Sequence, residues 1–470
     1  MNLPNKKLCL KIIFSLLLWI ISPCQLFSQT QIGTDFNGAS EGEKLGSSVA
    51  ITSDGSRVVI GALGNVNSRG YVVIYDEIQG NWQQVGDQID GISNGGEFGS
   101  SVSISDDGKV VVIGSVSYDE YRGAIQVYKL ANGNWTQVGA NIYGEAQGDE
   151  FGLETSISGD GSIIAAGGPG NSNNAYASGQ VKIYSIVNGN VITMGKAIEG
   201  HEMRDEVGGY ISLSSDGGRI AISGAGSIRI YDFISGSWRQ VGDNINDGLT
   251  VSMSDDGNRL VAGVDESVVK VFDYVGGNWE QVGSTLYGET SEDAFGRDVA
   301  ISADGLRLAV GAGRNDENGI DAGHVRIFDF KNGLWTRVGQ DIDGDAAVDR
   351  IGEVISLSGD GETIIIGTIF NDEKGSFSGQ ARVFNLEGLM TNSIIRASEH
   401  ILLSPNPTSG VIVVEGLEPK EVRIFNCFGQ VVFTKKLSRN EIDISHLVSG
   451  IYVVQLMVDG ELFSKSVVKR

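Results

Sequence analysis

The sequence is short of cysteine, histidine and base, and each shortage excludes something. Its three cysteines are Cys9, Cys24 and Cys427. The long stretch between the last two has no disulfide to staple it, so its own core and strand pairing must hold it. Its four histidines are His201, His324, His400 and His446. None stands at a recognisable spacing from a Ser or Cys, so no nucleophile–base pair can be named. The 470 residues carry 59 acids against 35 bases, a net charge of −24. Residues 29–392 hold 51 of those acids and 23 of the bases. This balance argues against nucleic acid and anionic lipid as partners.

What the chain has in abundance is glycine, 67 residues of it, mostly in turns that recur at a fixed interval. The unit is clearest at Phe295–Ile342. Alternating apolar and polar runs at Asp298–Ser302, Arg307–Ala312, His324–Phe330 and Trp335–Ile342 predict four half-buried strands. Ala303-Asp304-Gly305 and Lys331-Asn332-Gly333 predict tight turns between them. The Asp-Gly turn returns at Asp54, Asp107, Asp160, Asp216, Asp256, Asp304 and Asp360. The aromatic late in the third run returns as Tyr75, Tyr128, Tyr184, Tyr231, Phe272, Phe328 and Phe384. The fourth run, Trp-x-x-Val-Gly, starts at Trp82, Trp135, Trp238, Trp279 and Trp335, with a weaker copy at Val191–Gly195. That is one copy short. The missing one stands at the front: Gln29–Gly38 (QTQIGTDFNG) parallels Trp135–Gly144 (WTQVGANIYG). The expected fold is therefore all-β: a seven-bladed β-propeller over residues 29–388, closed by the N-terminal strand. An open solenoid is the alternative.

Lys6, Lys7 and Lys11, then the apolar run Ile12–Ile21, then Phe27-Ser28 describe a secretory signal peptide over residues 1–28. The run is too short to span a bilayer, so no transmembrane helix is expected in the mature chain. A lipid anchor at Cys24 is the weaker alternative, because Pro23 precedes it. After Gly388 the repeat ends. Residues 389–400 read as a linker. Alternating runs at Val411–Glu415, Glu421–Phe425, Gln430–Lys435 and Ile451–Met457 predict a small Ig-like β-sandwich over residues 401–470.

In each unit the first-to-second and third-to-fourth links are short. The links on the other face are long and varied, as at Ser115–Arg122, Pro169–Ser178, Gly313–Ala322 and Thr368–Ser378. Binding usually resides in such loops. Units four and five have short links there, which predicts a notch. The candidate binding residues are Tyr118, Tyr121, Tyr143 and Tyr176, able to stack on a sugar ring or anchor a protein partner, and the loop acids Asp316, Asp321 and Asp372. Asp119, Glu120, Glu317 and Glu373 complete an acidic rim. Carboxylates on loops bind Ca²⁺, but these lack the alternating ligand spacing, so a solvated rim and no cofactor are expected. The regular Trp residues read as structural. No catalytic residue is assigned, and the chain reads as a non-catalytic binding or adhesion protein. A polysaccharide-degrading enzyme is the alternative, since carboxylates from different blades leave no local motif.

The repeat resembles the FG-GAP repeat of integrin-type propellers. Phe98-Gly99, Phe151-Gly152 and Phe295-Gly296 match its Phe-Gly, and Gly61-Ala62 and Gly311-Ala312 its Gly-Ala-Pro. The proline is missing from most copies, Gly168-Pro169 being the nearest approach. The family's calcium loop survives only as the fragment Asp316-Glu317-Asn318-Gly319. The resemblance implies the propeller fold and, by analogy, ligand recognition; calcium does not carry over. The boxes of sialidase-type propellers are absent. The C-terminal segment resembles the sorting domain of the bacterial type IX secretion system. Pro405-Asn406-Pro407, Ser409-Gly410, Gly429, Leu447, Ser449-Gly450-Ile451-Tyr452 and the basic end Lys465–Arg470 carry that likeness. It implies the type IX machinery as partner and passage through the outer membrane of a Gram-negative cell. Removal of the segment would follow, with release or attachment at the cell surface.

Overall fold

The computed structural model describes residues 29–64, 69–246, 248–264 and 267–389. Nearer the C-terminus it describes 402–404, 406–415, 421–425, 431–437, 440–458 and 461–470. The expected signal peptide and residues 390–400 of the expected linker lie outside these. The chain forms two compact units, Met1–Leu389 and Met390–Arg470. Both are built of antiparallel sheets. One short turn, Tyr118–Tyr121, is the helical exception among the described residues. No described helix is long and apolar enough to cross a membrane.

Among the described residues, seven sheets fill the first unit. Their first strands are Leu45–Ile51, Phe98–Ile104, Thr155–Ile157, Ile211–Leu213, Gly248–Met253, Phe295–Ile301 and Val354–Leu357. They are sheets one to seven below. Sheet seven has no fourth strand from its own neighbourhood. Thr30 pairs with Asn385 and Gln31 with Phe384, then Phe36 with Ala381 and Asn37 with Gln380. The N-terminal segment thus supplies the edge that sequence alignment assigned to it.

Two expected boundaries move. The first strand of sheet six starts at Phe295 rather than Asp298. The fourth run, expected as one strand, is split in six sheets, as at Asn81–Gln84 and Ile89–Asp90. The break falls at the glycine ending Trp-x-x-Val-Gly or its equivalent. Gly86 turns with φ +70°, and the Trp135 indole of the next sheet lies against it. Only sheet six keeps one strand, Leu334–Asp343, with an irregular register opposite Val325–Ile327.

The core is seven layers, not one mass. Each apolar cluster draws on two consecutive sheets. Ile60 and Val73 meet Ile365 and Val383 between sheets one and seven; Ile74 meets Phe98 and Ile113 between one and two. The remaining junctions are filled in the same way. The Asp-Gly turns are bonded from sheet to sheet through their backbones. Asp106 N–H donates to Gly159 O, Gly159 to Ser215, Ser215 to Asp255, Asp255 to Ala303, Ala303 to Gly359, and Asp360 to Ser53, all at 2.8–3.0 Å. Arg219, Arg259 and Arg307 add a clamp. Each pairs with an Asp of its own sheet (Asp232, Asp273, Asp329) and donates to a turn carbonyl of the next (Gly257, Gly305, Gly361) at 2.9 Å.

The second unit has a three-stranded and a four-stranded sheet. Ile412, Val422, Ile424, Tyr452, Val454 and Val467 are among its buried residues. The basic end belongs to a strand, Glu461–Lys469, paired along its length with Gly450–Val458.

Glycines at the sheet junctions yield a test. A methyl on Gly311 would fall inside the van der Waals shell of the Gly352 carbonyl oxygen, whereas one on Gly333 meets nothing within 4 Å. Gly311→Ala is expected to cost about 3 kcal/mol or more, because two packed backbones must separate. Gly333→Ala, at φ +80°, costs only about 1–2 kcal/mol of left-handed backbone strain. Denaturant unfolding of both variants checks the difference.

Candidate functional site

A cavity of about 2800 Å³ is lined by the first strands of six sheets and, at sheet three, by Leu153 and Glu154 just before its first strand. That exceeds the roughly 300–1,000 Å³ of a drug-sized ligand site, so the space suits a long or branched ligand. Its wall is built from the residues following each Phe-Gly or its equivalent. Two positions after that glycine, Ser48, Ser101 and Thr250 donate to the carbonyls of Gly99, Gly152 and Gly296 in the next sheet, at 2.7–2.9 Å. Other sheets break this rule. Sheet three has Glu154 there, sheet four Tyr210, sheet six Asp298 and sheet seven Val354. The hydroxyl that ties sheet to sheet is thus replaced, at two points, by a carboxyl facing the cavity.

These carboxyls are perturbed. Burial, and then the charge of Asp298, push Glu154 up to about 8. Burial raises Asp298 to about 7, although its oxygens accept N–H bonds from Ile355 and Val299 at 2.8 and 2.9 Å. Burial likewise lifts Tyr210 to about 12; Arg297 opposes that rise, while Asp298, Glu154 and Glu353 add to it. Acids with raised pKa in a cleft mark a candidate site.

The mouth is set by the long loops. Their final turns are left-handed and pinned by the next inter-sheet loop. Asp119, Glu120 and Tyr121 all have φ between 51° and 61°. Gly148 N–H donates to Glu120 O and Glu150 N–H to Tyr121 O. Arg204 N–H to Tyr176 O and Val348 N–H to Ile320 O repeat the pattern. Non-glycine residues held in this region are strained, and such strain gathers at functional sites. The result is a rigid presentation of Tyr121, 55% exposed, and Tyr176, 67% exposed.

The sequence-assigned residues divide. Tyr121, Tyr176, Asp316 and Asp321 line the cavity, as do Ala225 and Gly226 of the short link expected in unit four; Asp265 and Glu266 of the one expected in unit five lie outside the described residues. Tyr118 and Tyr143 stack on each other with ring centres 5.2 Å apart, and Arg122 lies over Tyr143. Asp316 and Asp372 brace their own loops, each accepting the N–H five residues on, at Asp321 and Phe377. Asp321 pairs with Arg350 at 2.9 Å. Glu154, Tyr210 and Asp298 were not singled out from sequence. Aligning the copies column by column would have shown them, as the departures from Ser or Thr.

A second cluster lies on sheet six. Glu317, His324 and Asp341 bring ligand-type atoms within 4.8 Å of one another. Burial holds His324 down at about 4, so the imidazole is neutral.

In the second unit the export residues serve packing. Asn406 accepts the Val468 N–H at 2.9 Å. Pro407 follows it. Gly410 donates to Thr408 Oγ1 and accepts from Ile444. Gly450 pairs with Lys469, and buried Tyr452 donates to Val448 O. Pro405 and Gly429 lie outside the described residues.

The Glu154 shift fixes a sign. A carboxyl whose pKa is higher when folded keeps its proton longer in the folded state. Its contribution to stability is therefore full below the unfolded value of 4.5, falls as pH rises toward about 8, and is flat beyond. Glu154→Gln should match the parent near pH 4.5. At about pH 9 it should exceed the parent by on the order of 1–2 kcal/mol, allowing for screening by cavity water. Thermal melts across pH check this.

Comparison with known families agrees with both units. Residues 287–328 match the FG-GAP repeat model. Residues 403–470 match the model of the secretion system C-terminal sorting domain. No curated protein matches the chain. The sorting domain indicates a secreted or surface protein and implies the type IX secretion machinery as its partner. The chain thus carries an FG-GAP repeat and ends in a type IX secretion sorting domain.

Proposed function

We propose that the seven sheets are the blades of a closed β-propeller, and that the protein is a secreted or surface-displayed binding protein without catalytic activity. The pairing of Thr30–Gln31 and Phe36–Asn37 with the last strand of sheet seven supports closure. So do the core layers, which run from each sheet to the next and from the seventh back to the first. The ligand enters the axial cavity from the long-loop face over sheets two, three, six and seven. The observation that carries this is the mouth. Tyr121 and Tyr176 stand exposed on pinned left-handed turns above a wall of hydroxyls and carboxyls. Exposed aromatic faces beside polar groups suit a glycan, whose sugar rings stack while their hydroxyls hydrogen-bond.

One observation favours an enzyme instead. A carboxyl raised to about 8 inside a cavity is protonated at neutral pH and suits a general acid in glycoside cleavage. On that reading Glu154 is the proton donor of a polysaccharide-degrading enzyme.

Glycan-array screening of the purified protein separates these readings. Under the binding reading Tyr121→Ala and Tyr176→Ala each weaken a hit roughly tenfold, and no new reducing ends form on incubation. Unchanged affinity in both variants would sink the tyrosine mouth. Reducing ends made by the parent and lost in Glu154→Gln would establish the enzyme.

A further inference from the structure

His324 opens the third strand of sheet six and is 1% exposed. Neither of its ring nitrogens has a hydrogen-bond partner. Its Nδ1 lies 3.9 Å from Asp341 Oδ2, too far for a hydrogen bond. A buried imidazole left in this state is rare, since each unpaired polar atom carries a desolvation cost. The groups around it are carboxylates. Asp341 and Glu317 offer oxygens in the same 4.8 Å cluster. Asp343, the direct cross-strand neighbour of His324, has a buried Oδ1 that is also unpaired. Arg326 and Arg337 hold Asp341 at 3.1 and 2.5 Å, and Arg326 also binds Glu289. Four carboxylates against two guanidiniums leave two negative charges beside a neutral imidazole.

Sheet seven supplies an internal control. The same columns of the repeat hold Gln380, Asp35, Asn37 and Glu373 there. Those four satisfy one another directly. Gln380 Nε2 donates to Asp35 and Asn37 at 3.3 and 3.1 Å, and Asn37 donates to Glu373 at 2.9 Å. In sheet six the corresponding atoms face one another across a gap. Among the described residues, no side chain or backbone group closes it with a hydrogen bond to the imidazole.

We propose that Glu317, His324 and Asp341 form a binding site for a divalent transition-metal ion of the zinc class, with Asp343 beside it. One imidazole nitrogen with carboxylate oxygens is a zinc-type donor set, whereas Ca²⁺ and Mg²⁺ take oxygen alone. Ligand atoms on a tetrahedral zinc lie roughly 3.3 Å apart, so Glu317, the exposed member, swings in by an ångström or so. The two arginines keep Asp341 oriented, as outer partners of metal ligands do. The bound ion ties the long loop carrying Glu317 to the strand carrying Asp341, at the edge of the cavity. The site stands on its own geometry and holds whatever the cavity binds.

The test uses the full chain, stripped with chelator, and Zn²⁺ alone by titration calorimetry, with Co²⁺ absorption as a second readout. The parent should bind one equivalent and give a visible Co²⁺ band. Glu317→Gln, at an exposed position, and His324→Leu, which keeps the site filled, should each weaken Zn²⁺ at least tenfold and remove that band. Failure of the parent to bind Zn²⁺ at about 100 µM overturns the proposal; so does equal binding by the parent and both folded variants, which places the ion elsewhere. A melting temperature raised by Ca²⁺ but not by Zn²⁺ overturns the assignment of metal class.

Discussion

Glycine meeting glycine between neighbouring sheets is the constraint on which the rest depends. The fifth residue of the second strand lies against the glycine of the next sheet's Phe-Gly pair or its Leu-Gly, Val-Gly or Ile-Gly equivalent. Gly61 meets Gly99, Gly114 meets Gly152, Gly167 meets Gly208, Gly263 meets Gly296, Gly311 meets Gly352, and Gly367 meets Gly46. A Cβ at the first of each pair would strike the carbonyl oxygen of the second. The two halves of the repeat's signature are thus one contact seen from two sheets. That approach lets Phe98, Phe151 and Phe295 sink to 0–1% exposure between sheets. It also brings the hydroxyls of Ser48, Ser101 and Thr250 within reach of the next backbone.

With the scaffold fixed by glycine and aliphatic layers, other columns are free to vary. The first-strand residues after each Phe-Gly face the cavity. The last turns of the long loops face its mouth, and their backbones are pinned regardless of side chain: Glu120, Tyr176, Ile320 and Ser376 all accept the same kind of N–H. Tyrosine, isoleucine and serine stand on one backbone solution. A repeat of this kind changes its ligand surface without disturbing its core.

Most of the fold was legible in the sequence because strand period, turn residues and glycines are local signals. The seam was legible too, since Gln29–Gly38 carries the fourth-strand pattern; Gln29 lies against Gly339, the place an indole takes at Gly86 and Gly242. The split of the fourth strands was not, because it falls at a turn glycine packed against the next sheet, by an indole at Gly33, Gly86, Gly195, Gly242 and Gly283 and by Val191 at Gly139. The candidate site was half legible. Loop tyrosines and acids announce themselves, but whether Asp316 faces a ligand or braces its own loop is decided by a hydrogen bond to Asp321 N–H. Glu154 and Asp298 were hidden because each looks like any polar residue on an alternating strand. Only their shared cavity brings the two carboxyls within electrostatic reach of each other.

The junction between sheets four and five shows why such departures point to function rather than to drift in packing. Ser223 stands where other sheets have the close-approach glycine, and its hydroxyl accepts the Tyr210 N–H at 2.9 Å. That bond offsets the lost contact, and Tyr210 then occupies the column filled by Ser or Thr in sheets one, two and five. The structural departure is compensated within its own sheet. Glu154 has no such compensation; its environment raises its pKa and offers no countercharge that dominates. Nor does His324, whose nitrogens find no partner while Gln380, in the same column, finds two. Locally consistent sequences break their own rules mainly where something outside the chain completes them. By that criterion the cavity carboxyls and the imidazole of sheet six, and not the acidic rim as a whole, are the candidate sites of this molecule.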